Sequence, residues 1–175
     1  LLAADGYVSS PVASSAAAAT ALTDAALAAL WDEAQRRWAL AGVSESVLRT
    51  AASGVRLTID DLPDGYLGLV TRDAVHLDRD AAGRGWFVDD TPWDDSEFEF
   101  LTDSPATVAR DDSPAAGRVD LLTVIMHELG HLLGVEHAEG DSNHVLSELL
   151  SPGLRRTPDT EDTDAWFRTA GDWHR

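Results

Sequence analysis

The chain has 175 residues, of which 31 are acidic and 13 basic, giving a formal charge of -18. This length fits one domain and excludes two large ones, and the 44% of apolar residues predicts a folded chain. So negative a chain repels phosphate backbones and anionic lipid headgroups, which argues against nucleic acid and membrane surfaces as partners. Because cysteine is absent, thiolate ligands and thiol nucleophiles are excluded, and any metal must be held by His, Asp, Glu or backbone oxygen.

The start of the chain carries little structural information. Residues 1–20 are rich in Ala and Ser and show no period that buries one face, so we predict a lead-in segment or an ill-defined edge strand. They lack the basic start and long apolar stretch of a signal peptide, and no stretch of the sequence reaches the ~20 apolar residues of a membrane span. We interpret the sequence as a mature or excised piece of a larger polypeptide, forming a single domain over residues 1–175.

Two helices are predicted next. Apolar residues recur at helical spacing after Thr23, which can serve as an N-cap, and the pattern stops at Gly42. A shorter helix begins at Ser44 or Ser46 and ends before Gly54.

Three short strands are predicted to follow. Apolar and polar residues alternate over 55–60, and residues 66–70 and 74–78 form strands whose short connection favours an antiparallel hairpin. Residues 79–118 are rich in Gly, Pro and Asp and are predicted to be long loops pinned by aromatic rings, with one short strand near Phe98 to Leu101.

The most apolar segment runs from Val119 to Gly134 and predicts a buried helix. A polar loop to Val145 follows, then a turn at 151–153. A last short helix is expected around Asp164 to Thr169.

The predicted buried helix carries a set of metal-binding side chains. His127 and His131 are four residues apart, so both can direct a ring nitrogen at one point. Gly134 permits the left-handed conformation that ends a helix, and the chain can then double back to deliver His137. Three neutral imidazoles leave the fourth position of a tetrahedral Zn²⁺ site open for water, which is typical of a catalytic site.

Glu128 adjoins the first of these histidines and supplies a general base. Its carboxylate can take the proton of a zinc-bound water that attacks a polarised carbonyl, and can then pass that proton to the leaving amine. The alternative is a group of hydrogen-bonded core residues. Burying three His and one Glu without a shared partner would cost several kcal/mol, which favours the metal site.

These residues resemble a known family. The run His-Glu-Leu-Gly-His-Leu-Leu-Gly-Val-Glu-His over 127–137 resembles the zinc motif of the metzincin metallopeptidases, in particular their matrixin-like branch. Residues 65–70 and 74–80, followed by Trp86, are similar to that branch's substrate-side edge strand and the strand after it. The likeness covers most of the chain from about residue 23 to 156, and includes matrixin-like domains of large, acidic, secreted or surface bacterial proteins.

The resemblance implies an α+β, metzincin-like fold: a small mixed twisted sheet with an antiparallel edge strand, two main helices, and an active-site helix followed by a small C-terminal subdomain. It implies a zinc endopeptidase with His127, His131 and His137 as ligands and Glu128 as general base. A peptide or protein substrate would add a strand to the sheet edge. This substrate-binding edge comprises Tyr66, Leu67, Gly68, Leu69 and Val70. An extracellular location, secreted or at a bacterial surface, is also implied.

The sequence departs from the family in three ways. Leu146 stands where metzincins place a Met in a tight turn beneath the zinc, and its similar volume keeps an apolar floor. The absence of cysteine makes a cysteine-switch latency impossible within this chain. The short connection before residue 74 leaves no room for the second, structural zinc of vertebrate matrixins, so His76 is interpreted as a strand residue.

The acidic residues from Asp78 onward allow two interpretations, a calcium site and a solvated acidic face. Oxygen ligands suit Ca²⁺, and the matrixin likeness around Asp78 and Asp80 favours a calcium site there. The alternative is a solvated acidic face. His144 follows the third zinc ligand and is expected to contact substrate or to be merely exposed.

Two functions are therefore carried forward. The first is the zinc-dependent endopeptidase. The second is a zinc-binding, catalytically weak structural or adhesive module of a larger extracellular protein, suggested by Leu146 at the position of the family's Met.

Overall fold

The architecture is that of a computed structural model, in which the described residues are 22–63, 65–101, 104, 106–137 and 143–164, together with the backbone of residues 2–4. Helices pack on small sheets in a mixed α+β arrangement, which confirms the predicted fold class at this level. Within these ranges, no helix has the length and apolar character needed to cross a membrane.

The first two helices have the limits that their capping residues predict. Helix α1 (Asp24–Ala41) follows Thr23, whose hydroxyl accepts a hydrogen bond from the Ala26 N–H at 3.2 Å. It ends at Gly42, whose φ of 119° lies in the left-handed region that glycine adopts without a steric penalty. Helix α2 (Glu45–Ala52) is short and follows directly. Local capping chemistry therefore accounts for the limits of α1.

Three sheets are formed by the described residues. Their strands are β1 (Leu2–Ala4), β2 (Arg56–Asp60), β3 (Tyr66–Val70), β4 (Ala74–Asp78), β5 (Trp86–Phe87), β6 (Phe98–Phe100), β7 (Thr107–Ala109), β8 (Val119–Asp120), β9 (Leu149–Leu150) and β10 (Leu154–Arg155).

The main sheet is mixed and has the strand order β2, β4, β3, β1, β9. Strand β2 runs parallel to β4, with Leu57 opposite Val75, and β3 runs antiparallel to β4, with Leu69 opposite His76. The predicted hairpin of β3 and β4 is therefore confirmed. Side chains from one face of this sheet, including Val75 and Leu77, enter the core fully buried.

Strand β3 does not lie at the edge of the sheet, so the prediction of an edge strand at residues 66–70 is wrong for the described residues. Strand β1 pairs antiparallel with β3, and on its other side it pairs parallel with β9. An uncovered strand presents a row of unpaired N–H and C=O groups, which any extended segment can satisfy. The pattern of β3 itself does not indicate which segment does so, and here residues 2–4 occupy that position.

Helix α3 (Leu121–Leu132) forms the centre of the molecule. It is buried from Leu121 to Gly130 and packs against α1 and β3. The indole N–H of Trp38 in α1 donates to the carbonyl of Met126 at 2.9 Å. The buried helix predicted from the apolar run is confirmed, and α1 supports it from below.

The region from residue 79 to 118 contains more regular structure than the sequence predicts. Strand β5 pairs with β8, and β6, β7 and β10 form a small three-stranded sheet. Only β6 corresponds to a predicted strand. Strands of two or three residues are too short for an apolar period to develop, so their positions depend on pairing between distant segments.

A buried ion cluster ties this region to the start of α3. The guanidinium of Arg155 is fully buried and lies 2.7 to 2.8 Å from carboxylate oxygens of Asp89, Asp95 and Asp120. Its Cζ lies 4.2 Å from the ring centroid of Phe98. Asp120 also accepts the Thr123 N–H at 3.1 Å as the N-cap of α3. Part of the acidic region is therefore internal to the structure.

The last described residues form one helical turn over 160–164. The short helix predicted at Asp164 to Thr169 lies outside the described residues, apart from its first position.

Candidate zinc centre

Three histidines converge where α3 ends. His127 and His131 lie one turn apart on this helix, and the chain reverses at Gly134, whose φ is +85°. His137 then returns to the same point. The Nε2 atom of His131 lies 3.1 Å from that of His127 and 3.1 Å from that of His137. The structure therefore brings all three predicted ligands together.

The other ring nitrogens of these histidines are oriented by their surroundings. The Nδ1 of His127 donates to the carbonyl of Val145, and that of His131 donates to the carbonyl of Val135, both at 2.8 Å. The Nδ1 of His137 lies 3.3 Å from a carboxylate oxygen of Glu148. When Nδ1 carries the proton, Nε2 presents its lone pair to the shared point.

Burial keeps this group of rings neutral. Desolvation lowers the pKa of His127 well below its ordinary value, and desolvation likewise lowers the pKa of His131 and His137. Neutral imidazoles with converging lone pairs are the donor set that Zn²⁺ prefers, and three of them leave a coordination position open. The residues present therefore fit a zinc ion.

Glu128 follows the first of these histidines on α3 and is fully buried. Its carboxylate packs directly against the backbone of Gly68 in β3: a Cβ built on Gly68 would lie 2.5 Å from Oε1 of Glu128. Real Cβ atoms do not come this close, so residue 68 has to be glycine for Glu128 to keep its position. The structure thus joins the candidate base to the strand that was predicted to bind substrate.

Leu146, which was expected to form an apolar floor at the position of the family's Met, packs against α3. It is 2% exposed, and a Cβ on Gly130 would lie 2.6 Å from its Cδ2 atom. The same Cβ would lie 2.9 Å from Cζ2 of Trp38. Gly130 therefore leaves the space in which Leu146 and Trp38 pack against the metal-site helix, and the apolar floor is complete.

The predicted substrate strand lies next to this site. Leu67 and Gly68 are buried, whereas Tyr66, Leu69 and Val70 are half-buried. Gly68 contacts Glu128, but the free side of the strand is paired with β1. The strand forms at the predicted residues, but its outer side is already paired, which the sequence did not lead us to expect.

The calcium prediction at Asp78 and Asp80 receives no support. Asp78 is buried and its carboxylate accepts backbone N–H groups, from Leu62 at 2.9 Å and from Ala82 at 2.8 Å. Asp80 accepts the N–H of Gly83 at 2.7 Å. These bonds hold the turn that follows β4. Among the described residues, neither Asp belongs to a group of three or more candidate metal ligands.

His144 lies in a second polar cluster, with Asp159 and Asp162. The two carboxylates are engaged in capping the helical turn at 160–164: Oδ2 of Asp162 accepts the Asp159 N–H at 3.0 Å, and Oδ1 of Asp159 accepts the Asp162 N–H at 3.2 Å. Burial raises the pKa of Asp162 to about 6. The two carboxylates therefore cap the helical turn, and one of them, that of Asp162, has a raised pKa.

Replacing Asp162 by Asn should remove a pH dependence of stability. The pKa of Asp162 is about 6 in the folded state, against 3.8 for an ordinary Asp in the unfolded state. The protonated carboxyl therefore stabilises the folded state, fully below pH 3.8, and this contribution is lost as the pH rises through 6. The substitution leaves unchanged the three titratable groups that face this carboxyl group, which are Asp159, Glu161 and His144. Urea unfolding from pH 4 to 7 should show a smaller decline for Asp162→Asn than for the parent. A decline as steep as that of the exposed control Glu99→Gln would contradict the assignment.

Some site residues could not be found from the sequence. The sequence did not predict that Glu148 lies beside His137, because this contact depends on the path of the chain after α3. The carbonyls of Val135 and Val145 that orient two of the rings are backbone groups, and backbone acceptors leave no trace in a side-chain pattern.

A mixed sheet packed on a helix that carries two of three converging histidines, with a buried Glu between them, defines the general class of zinc metallopeptidases. The comparison with protein families agrees: the family model described as Matrixin matches residues 58–165, more than half of the chain. The chain belongs to the matrixin family, which binds zinc. Neither a curated protein nor a solved structure gave a match.

Proposed function

We propose that this protein is a zinc-dependent endopeptidase, with residues 1–175 forming one matrixin-like domain. The observation that carries the proposal is the convergence of the three Nε2 atoms, 3.1 Å apart in successive pairs, at a helix that also carries the buried Glu128. In this proposal His127, His131 and His137 hold the zinc. Family membership supports a peptide or protein as substrate.

Zinc, when bound, supplies Lewis acidity that polarises a peptide carbonyl and makes a water molecule more acidic. Glu128 is placed to accept a proton from the attacking water and to donate it to the amine that leaves when the C–N bond breaks. The carboxylate has little freedom to turn away, because the backbone of Gly68 lies against it. The backbone carbonyls that bind the Nδ1–H of His127 and His131 keep these two rings in the orientation that ligation needs.

Substrate recognition follows from the position of β3. An extended peptide that takes the place of β1 beside Tyr66–Val70 would make backbone hydrogen bonds to this strand and would bring a scissile carbonyl close to Glu128, whose carboxylate contacts Gly68. The affinity for the peptide then comes from these backbone hydrogen bonds, and the selectivity comes from the side chains around them. An extracellular location is part of the same proposal and is supported by family membership.

Incubation of the zinc-loaded protein with a peptide library is the direct test. We expect cleavage at internal peptide bonds, its loss on addition of a chelator, and its recovery with zinc, each measured by mass spectrometry of the products. If the chelator lowers the unfolding temperature but no product forms in any condition, the endopeptidase proposal fails. The protein would then be the zinc-binding structural or adhesive module that is the alternative.

A further inference from the structure

Strand β1 lies between two segments that border the metal centre. Its residue Ala3 faces Tyr66 of β3 on one side and Leu149 of β9 on the other. The pairing is antiparallel with β3 and parallel with β9, and β1 also lies against α3. The backbone of residues 2–4 is therefore an extended peptide held by a ladder on each side.

This peptide passes close to the candidate catalytic group. Leu2 is paired with Gly68, and Gly68 is the residue whose backbone packs against the carboxylate of Glu128. On the other side, β9 begins directly after Glu148, whose carboxylate lies 3.3 Å from Nδ1 of His137. The two strands that flank the groove in which β1 lies, β3 and β9, thus each lie next to a residue of the candidate metal site.

We propose that residues 2–4 are an intramolecular ligand of the groove between β3 and β9, and that they compete with substrate for it. The consequence for catalysis rests on the function proposed above. Neighbouring strands of a sheet are about 4.8 Å apart, so the space between β3 and β9 holds one strand at a time. A substrate peptide needs the same backbone donors and acceptors of β3 that β1 uses.

Competition of this kind has a defined kinetic form. The segment belongs to the same chain, so its effective concentration at the groove does not fall on dilution. Bound β1 excludes substrate and leaves the catalytic groups untouched. It therefore raises KM and leaves kcat unchanged.

The substitution Ala3→Pro in the full-length, zinc-loaded chain tests the proposal. Proline has no N–H and its ring fits poorly inside a sheet, and Ala3 is paired on both sides. Loss of one or two ladder hydrogen bonds should lower KM for a fluorogenic peptide about tenfold at unchanged kcat. The control Ala16→Pro introduces the same residue outside β1 and should leave KM at the parent value. Equal KM values for Ala3→Pro and Ala16→Pro would overturn the proposal.

A binding measurement separates this inference from the proposed activity. With Glu128→Gln in both proteins, a fluorescein-labelled extended peptide should bind about ten times more tightly when Ala3→Pro is also present, as measured by anisotropy. This result would support the intramolecular ligand even if the parent cleaved nothing. Cleavage by the parent, together with equal peptide affinity in the two Glu128→Gln proteins, would leave the activity standing and refute the competition.

Hydrogen exchange on the unmodified chain provides a test that does not depend on how a variant folds. Amides that donate within the β1 ladders should exchange at least tenfold more slowly than those of a free peptide of the same sequence, and saturating substrate analogue should remove this protection. Exchange of residues 2–4 at the free-peptide rate would contradict the proposal.

Discussion

Replacing Glu128 by Gln is expected to leave zinc bound and to lower kcat for peptide cleavage by about 100- to 10,000-fold, the range for loss of a general base. Gln has nearly the volume of Glu, so it should fit against Gly68, but its amide cannot accept the proton of the attacking water. The three histidines are unchanged and should keep their affinity for zinc. Kinetics on a fluorogenic peptide, together with zinc content by atomic emission, measure the two quantities separately.

The matched control is Glu99→Gln, which makes the same chemical change at an exposed position of β6. It should cleave at the parent rate. Parent-like cleavage by Glu128→Gln would show that the carboxylate does not act as the base. Loss of zinc from that protein would show instead that Glu128 supports the metal centre itself.

Replacing Arg155 by Met should destabilise the fold by about 3 to 5 kcal/mol, the cost typical of removing one partner from a buried ion cluster. The side chains of Asp89 and Asp120 are each 1% exposed and would lose their cationic partner without gaining water. Burial already raises the pKa of Asp89 against the influence of Arg155, so the carboxylate is costly to keep ionised even with its partner. Urea unfolding at neutral pH, followed by circular dichroism, measures the loss.

A surface ion pair provides the control for this substitution. Arg56 lies 2.6 Å from Asp73, but the two side chains are 70% and 64% exposed. Arg56→Met should therefore cost no more than about 1 kcal/mol, because water screens the pair. A similar small loss for Arg155→Met would mean that the buried cluster does not hold the small sheets to the start of α3.

Much of the fold could be predicted because its signals are local. Thr23 and Gly42 mark the ends of α1 by capping chemistry that depends only on neighbouring residues. His127, His131 and His137 could be grouped because helix periodicity and one glycine determine where they point. Family membership for residues 58–165 bears out the resemblance drawn from these motifs.

The parts that could not be predicted depend on pairing between distant segments. An open strand can pair with any extended segment that reaches it. The alternation within β3 therefore does not predict that β1 is the segment that pairs with it. Arg155 appears in the sequence as one charge among many, and its role arises because three acidic residues from separate loops meet around it. The Asp-rich sequence suggested a calcium site for a related reason. The partners of Asp78 and Asp80 are backbone N–H groups, which a pattern of side chains does not reveal.

The hydrogen bonds from the histidine rings to Val135 and Val145 also couple the metal to the folding equilibrium. Both carbonyls belong to the chain after α3, so a ligand held by the rings also favours the folded state in which these two hydrogen bonds are made. If the unfolded chain binds zinc weakly, each tenfold rise in free zinc above the dissociation constant adds about 1.4 kcal/mol to the free energy of unfolding. The resistance of this protein to heat and to proteolysis would then report the zinc concentration of its surroundings.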